Sequence, residues 1–576
     1  MKKAISFLLV LVMIGTLAAC ANNSSSGKES TSTQGTGESA TDAPTDAPTD
    51  APTDAPKEPV TITLYPYNAN LTSGRVDGWL GEYLLEKGYI LDVWAYSDDK
   101  LTAMLAGGDL PDIMFAPKNK VDFAELGKNG VLVNMDDYAD RIPNLFGNDQ
   151  MQTAMQYVRE YVTKGDLYAL PMEVGSTSVV TNTERQAVKL NWAVYEEIGA
   201  PTFKNLDELI PILKRMQEKY PTSPDGNKTY GMHLYTTTGY DPVSSAVFAV
   251  TGHNGGYLSY GIEVDVVEEE FNYILKDDSA YKYAIRFINK MYREGLLDPD
   301  SMTTERTAQH KKIEAGGALA GWAAVPGWEN AGYYPVWFDE VETSYNLEGY
   351  PYGSSAFACV NAKSKNMDAA IDFINLLADP EVQRTIINGP QGEMWDVDAS
   401  GKVYVTNKGL DWWVNAKEAV FKNGETYSLF NTPLFWGKAN LSADGDLLAL
   451  EYSDEVLAAK NDSEMNRRWQ KTTGYDNYME MITEKGTYIP NALTNNVDKF
   501  RAAIPDDTKL IASAVKTTLV NGMWKMIYAE SDDQFEQIWD EVVTECEGLG
   551  IKELFDYMVK ELNIAREKQL AVEKNK

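Results

Sequence analysis

The body of this chain reads as an α/β fold with a largely parallel sheet and a helical C-terminal region. Two observations carry that reading. Strand-period and helix-period segments alternate from residue 60 onward, and two sustained helical stripes close the chain. In order, "VTITLYPY" (60–67) alternates Val60, Ile62 and Leu64 and predicts a first strand. In "KLTAMLAGGDLPDIMFAP", Leu101, Met104 and Leu105 share one helical face. Gly107 is expected to close that helix in a left-handed conformation, and Pro111 cannot continue it. Asp112–Phe115 then reads as a short buried strand. A turn and a second short strand follow at 166–171, and "SVVTNTE" (178–184) resumes strand character.

Helices come next. "NLDELIPILKRMQEKY" (205–220) is amphipathic, with Asn205 and Glu208 at capping-box spacing. In "AYKYAIRFINKMYREGLLDPD" (280–300), Ala284, Ile285, Ile288 and Met291 form one face and Gly295 ends the helix. The stretch 367–387 is helical in two pieces, broken at Pro380. Phe535, Ile538, Trp539, Val542, Val543 and Cys546 make one stripe. Ile551, Leu554, Phe555, Met558, Val559 and Leu562 make another after Gly548 and Gly550. Such stripes are core.

The N-terminus stands apart. A basic start, an apolar run from Ala4 to Thr16 and the ending Leu17-Ala18-Ala19-Cys20 describe a secretory signal. The run is shorter than the roughly 20 apolar residues of a membrane-spanning helix. Its ending resembles the lipobox of bacterial lipoproteins, which implies that Cys20 becomes the lipidated first residue of the mature chain, and residues 1–20 are set apart from the fold. Residues 21–59, including four copies of Thr-Asp-Ala-Pro from Thr41 to Pro56, cannot bury enough apolar area to fold. They are expected to form a tether spanning roughly 35 Å when flexible and about 120 Å when extended.

The whole chain is 44% hydrophobic and 11% aromatic, ample for a large core. Its net charge of -33 argues against nucleic acid as a partner, because that partnership needs clustered Lys and Arg. Besides Cys20, Cys359 lies in a strand-like run and Cys546 on a helical face, and both read as buried thiols. His233, His253 and His310 are scattered, and no metal or other cofactor is expected. "DVDASGK" (396–402) begins like a calcium loop, but position twelve is Asn407 and the flanks alternate as strands, so a hairpin turn is expected. "SPDGNKTYG" (223–231) lacks regular acidic spacing, and "EAGGALAGW" lacks the Gly-Lys-Ser/Thr of a phosphate loop.

Seven segments, taken together and in order, resemble the extracellular solute-binding proteins of family 1, the receptors of ABC importers. They are "LYPYNAN" (64–70), "KLTAMLAGGDLPDIMF" (100–115), "KGDLYALPMEVG" (164–175), "FINKMYREGLLDPDSM" (287–302), "NAKSKNMDAAIDFINLLADPEVQ" (361–383), "NGPQGEMWDVDASGKVYVTNKG" (388–409) and "LGIKELFDYMVKELNIAREKQ" (549–569). The likeness is greatest to the long, lipid-anchored branch of Gram-positive bacteria, many of which take up oligosaccharides. It implies a two-lobed, type II periplasmic-binding-protein-like fold whose hinge the chain crosses more than once. Lobe 1 would hold residues 60–174 and about 352–430, and lobe 2 residues 175–351 and about 431–576. It further implies a monomeric, non-enzymatic receptor on the extracellular face of the plasma membrane. Such a receptor delivers a carbohydrate to membrane permease subunits.

Ligands of α/β sheets lie beyond the carboxyl ends of the strands, which nominates Tyr67, Asn68 and Asn70, then Ala116, Pro117 and Lys118. The resemblance adds Glu173 as a carboxylate at the hinge. It also adds Trp322 and Trp328 in the Gly- and aromatic-rich "GWAAVPGWEN", with Trp395 and Trp436 behind them. An aromatic ring covers the C–H face of a sugar while amides and carboxylates bond its hydroxyl rim. Core packing weighs equally for each tryptophan, and Trp412-Trp413 is expected to split, one in and one out. A peptide receptor or surface adhesin is the alternative. A glycoside hydrolase is the remote one, since any pair among 85 acidic residues is unspecific.

Overall fold

The computed structural model describes residues 58–574 apart from 68–71, 177–186, 237–246, 323–331, 337, 339–342, 346–348, 417–433, 443, 492 and 495. Strand Val60–Tyr65 pairs in parallel with Tyr89–Val93 on one side and Ile113–Pro117 on the other. The chain leaves this sheet and returns at Ala356–Val360, which inserts antiparallel between Ile113–Pro117 and Leu170–Pro171. A parallel nucleus, flanked by the short antiparallel strand Gly74–Arg75 on one side and by Ala356–Val360 from far along the chain on the other, is therefore the frame of the first lobe.

Local chemistry sets the element ends. Ser97 caps the helix Asp98–Gly107, accepting from the Lys100 amide, and Asp98 and Asp99 sit favourably in its first turn. Gly107 remains helical, and it is Gly108, at φ +72°, that takes the left-handed turn, so the expected cap moves by one residue. Asn205 caps Leu206–Lys219 by accepting from Glu208 N (3.2 Å), and Glu208 reaches back to the amide of Lys204 (2.8 Å). The two-piece helix forms as Met367–Leu377 and Pro380–Asn388, with Pro380 in the first turn, where its missing N–H costs nothing. "DVDASGK" is the turn of a hairpin, Trp395–Val397 with Val403–Val405. The segment 178–184, expected as a strand, lies outside the described residues.

Two large cores result. The first surrounds the sheet with Ile62, Leu64, Ile113, Phe115, Phe357, Cys359 and Ile371. The second gathers the strands Lys189–Asn191, Ala320–Gly321 and Tyr333–Pro335 with helices Leu206–Lys219, Ala280–Arg293, Asp506–Ile527 and Asp532–Gly548. Asn289 ties two of those helices together. Its Nδ2 donates to the carbonyls of Met526, Ile527 and Ala529 (3.1, 3.1 and 2.8 Å), at and just past the end of the long helix. The last helix, from Ile551, joins both cores. Ile551 and Leu554 pack in the second, and Met558, Leu562 and Ala565 in the first. Leu434, Phe435, Trp436, Val497 and Phe500, from the stretch expected in lobe 2, also pack in the first core.

Trp412 and Trp413 do not split. Both are buried beside Trp395 in a small third core, because the helical segment that carries them packs against the hairpin. Cys359 and Cys546 are buried thiols, and burial pushes each up to about 12. Among the described residues, no helix is long and apolar enough to cross a membrane.

Candidate functional site at the junction of the two cores

Three chain segments run side by side where the cores meet. Met172–Ser176 leaves the first sheet, Gly349–Ser354 returns to it, and Leu434–Asn440 lies against Met172–Ser176. Val174 N donates to Phe435 O (2.9 Å) and Gly437 N to Val174 O (2.9 Å). Gly175 and Tyr350 exchange amide bonds at 3.1 and 2.7 Å, and Ser354 N reaches Met172 O at 2.7 Å. Asn440 locks the set, donating to Val174 O (2.9 Å) and accepting from Ser176 N (2.6 Å).

Glycine makes this approach possible. A Cβ on Gly349 would sit 2.4 Å from Gly175 O, and one on Gly437 would sit 2.5 Å from Ser176 O. The backbones touch where side chains would separate them.

Glu173 stands at the head of the junction. It holds a left-handed backbone at φ +54°, costly for a residue with a Cβ, and its amide is fixed on Leu434 O at 2.6 Å. Burial raises the pKa of its carboxyl. A hydrogen bond from Ser354 and the charges of Lys438 and Lys499 act against that shift.

The carboxyl ends of the parallel strands supply a second group. Tyr67 packs edge-on against Tyr96 at 5.0 Å, and Tyr96 lies 5.5 Å from Tyr65. Tyr65 Oη donates to Ser97 O (2.8 Å), which fixes the Trp94–Ser97 turn. Tyr96 Oη donates to Asp98 (2.5 Å) and Lys120 Nζ to the same carboxylate (2.9 Å). These two bonds hold Asp98 below the usual carboxylate range. The half-buried Tyr67 and Tyr96, with exposed Asp98 and Lys120, thus combine apolar ring surface with donors and acceptors. Lys118, just past the third strand, donates to Tyr157 Oη (3.0 Å) and Lys499 O (3.2 Å). Burial lowers its pKa, with Asp498 opposing.

The structure groups Tyr67 with Tyr96, Asp98 and Lys120, and it links Lys118 and Glu173 through Lys499 and Ser354; the sequence reading named Tyr67, Lys118 and Glu173 and missed the others. The strand-end rule that nominated Tyr67 would also have found Tyr96 and Asp98, which follow "YILDV". Lys499 carries no local signal.

The described tryptophans take the core-packing side of the two readings open to them. Trp322 is 5% exposed in the second core, its ring 5.5 Å from Phe287 and its Nε1 donating to Gly231 O (3.0 Å). Trp395 donates to Gly389 O (2.8 Å) inside the third core. Trp436 donates to Ala378 O (2.7 Å) and belongs to the junction backbone as a buried wedge. Each indole N–H is spent on a carbonyl within the fold, as a buried indole requires. Asn68, Asn70, Trp328 and Cys20 lie outside the described residues. Among the described residues, no cluster of His, Cys, Asp and Glu could hold a metal ion.

Two cores joined by several chain segments, the first built on a largely parallel sheet, define a two-lobed α/β fold. Residues 94–384 match the family described as bacterial extracellular solute-binding protein, and the chain belongs to that family. The structure is similar to an extracellular solute-binding protein from Bifidobacterium longum subsp. infantis, at 17% identity and a TM-score of 0.58, covering 88% of this chain and 98% of that one. It is similar to an HMO-binding, ABC-transporter-associated solute-binding protein from Bifidobacterium longum infantis, at 18% identity and a TM-score of 0.55, covering 88% and 99%. It also resembles the ABC-transporter substrate-binding protein FusA of S. pneumoniae in complex with kestose, at 17% identity and a TM-score of 0.54, covering 90% and 100%. Identities this low establish a shared fold. A search of curated proteins gives no match.

Proposed function

We propose that this protein is the lipid-anchored receptor of an ABC importer, capturing an oligosaccharide between its lobes and handing it to membrane permease subunits. The observation that carries the reading is the arrangement at the strand ends. Ring surface from Tyr67 and Tyr96, a carboxylate at Asp98 and an ammonium at Lys120 occupy the mouth of a parallel sheet, with Glu173 at the junction. Stacking surface beside charged hydrogen-bonding groups is the chemistry that recognises a sugar. The HMO-binding and kestose-bound relatives support the same ligand class. The protein acts by binding and closing rather than by catalysis, as a monomer, and it works outside the cell on a leash of residues 21–59 held by lipid at Cys20.

A thermal-shift screen across oligosaccharides, amino acids and short peptides tests the ligand class. A true ligand at a hundredfold excess over Kd adds about 2.7 kcal/mol of stability and raises Tm accordingly. Stabilisation by peptides alone would sink the sugar reading, and release of cleavage products from a bound oligosaccharide would replace receptor with enzyme. For the anchor, Cys20→Ala is expected to move the protein from the membrane fraction to the medium. Unchanged membrane association would remove the lipid anchor from the proposal.

A further inference from the structure

The turn Val497–Phe500 reaches the junction from the C-terminal region, and its backbone and side chain bind different partners. Lys499 O accepts from Lys118 Nζ (3.2 Å) and Tyr157 Oη (3.0 Å), both anchored in the first lobe. Phe500 packs on the rings of Tyr157, Tyr161 and Tyr352 at 5.3, 4.9 and 4.9 Å. The Lys499 ammonium points the other way, into the crossing segment, and donates to Gly353 O (2.5 Å) and Ser354 O (3.1 Å). Ser354 in turn bonds the Glu173 carboxylate. Glu173 attracts the ammonium, and the Tyr350 ring lies 6.0 Å from it.

Filling this space with a lysine is costly, because a methionine would occupy it without desolvating a charge. What methionine lacks is the pair of donors for two carbonyls that the crossing segment presents to the turn, and a charge facing Glu173. The position also has reach. Val497 and Phe500 share the first core with Met558, Leu562 and Ala565 of the last helix, whose opening residues belong to the second core.

We propose that Lys499 is a positioning residue of the binding site. It clamps the Tyr350–Ser354 crossing to the first lobe and, through Ser354, orients the Glu173 carboxylate at the junction. The clamp itself stands on the geometry above, and its importance for ligand rests on the junction being the binding site.

The charged and titratable groups around the ammonium are Glu173, Lys118 and Tyr350, with Lys438 on the third crossing and Asp498 and Arg501 flanking the turn. Burial, then Lys118, bring Lys499 down to about 8, with Glu173 opposing. Between pH 8 and the unfolded value of about 10.4, the unfolded chain holds a proton that the native lysine has lost, so this group makes global stability rise with pH. The clamp weakens over the same window, because charge-assisted bonds become neutral ones. The two effects have opposite signs, which makes a pH series diagnostic.

The experiment is hydrogen–deuterium exchange of the full chain without ligand, corrected for intrinsic exchange rates. A failure here is thereby separate from a failure of the sugar reading. Lys499→Met is expected to speed exchange of the peptide covering 349–354 about tenfold, leaving 60–65 and 113–117 unchanged, while Lys499→Arg returns it to within about threefold of wild type. In the wild type, protection of 349–354 should fall about fivefold between pH 7 and 9.5, and in Lys499→Met it should stay flat. Wild-type exchange rates in Lys499→Met overturn the clamp. Should Lys499→Met not fold, Lys499→Ala takes its place, and wild-type exchange of 349–354 in that variant overturns the clamp.

Discussion

Arg384→Ala is expected to cost about 3–5 kcal/mol of folding stability, read as a fall in the urea midpoint at unchanged m-value. The side chain is fully buried. Its guanidinium forks onto Asp444 (2.6 and 2.8 Å), donates to the carbonyls of Leu447 and Asp446 (3.1 Å each) and reaches Glu381 at 3.1 Å. Truncation strands two carbonyls and a carboxylate around a space shaped for a cation. The consequence extends to the junction. The loop that Arg384 holds also bonds the hairpin, through Val403 N to Asp446 (2.8 Å), and the third crossing, through Leu448 N to Asn440 O (2.9 Å).

Acid provides an internal check. The bond from Arg384 holds Asp444 below the usual carboxylate range. A carboxylate lowered on folding contributes stability that is complete above its unfolded pKa of about 3.9 and is lost as pH falls through the folded value. The gap between wild type and Arg384→Ala should therefore narrow below about pH 4. A loss under about 1 kcal/mol at neutral pH would mean that the pair behaves as a solvated surface bridge.

Trp322→Ala is expected to cost a similar amount, about 3–5 kcal/mol, for a reason unrelated to ligand. The ring is packed on Phe287 in the second core and its N–H is committed to Gly231 O. Trp322→Phe keeps most of the ring area and forfeits that bond, so it should lose about 1–2 kcal/mol. Its affinity for the oligosaccharide that gives the largest thermal shift should stay within about twofold of wild type. A Trp322→Phe protein of wild-type stability with lost sugar affinity would return this residue to the cleft.

The tryptophans show where sequence reasoning reaches its limit. Trp322, Trp395 and Trp436 sit in Gly-rich or turn-flanked stretches, where an exposed ring and a buried ring have the same neighbours in sequence. Exposure is decided by what lies opposite. Phe287 covers Trp322, the small third core encloses Trp395, and the crossing backbones with Ala378 O enclose Trp436. Tyr67 and Lys118 were legible because they obey a local rule, their position just past a parallel strand. Tyr96 and Asp98 obey the same rule and were within its reach. Lys499 obeys no local rule, since its partners are backbone carbonyls supplied by the crossing segment.

By itself, the sequence determined the alternation of strands and helices, the cap at Asn205, the helix break at Pro380, the helical stripes of the C-terminus and the hairpin at 396–402. Each depends on periodicity or turn chemistry within a few residues, and short-range physics is written in short stretches of chain. Tertiary structure alone decided the rest. It inserted Ala356–Val360 antiparallel into the first sheet, laid three crossings together through glycines, and ran the last helix through both cores. It also brought the Lys499 ammonium onto the carbonyls of Gly353 and Ser354. Those features depend on which distant segments exclude water from one another, and that selection is made over the whole surface buried on folding, beyond the reach of any single window of residues.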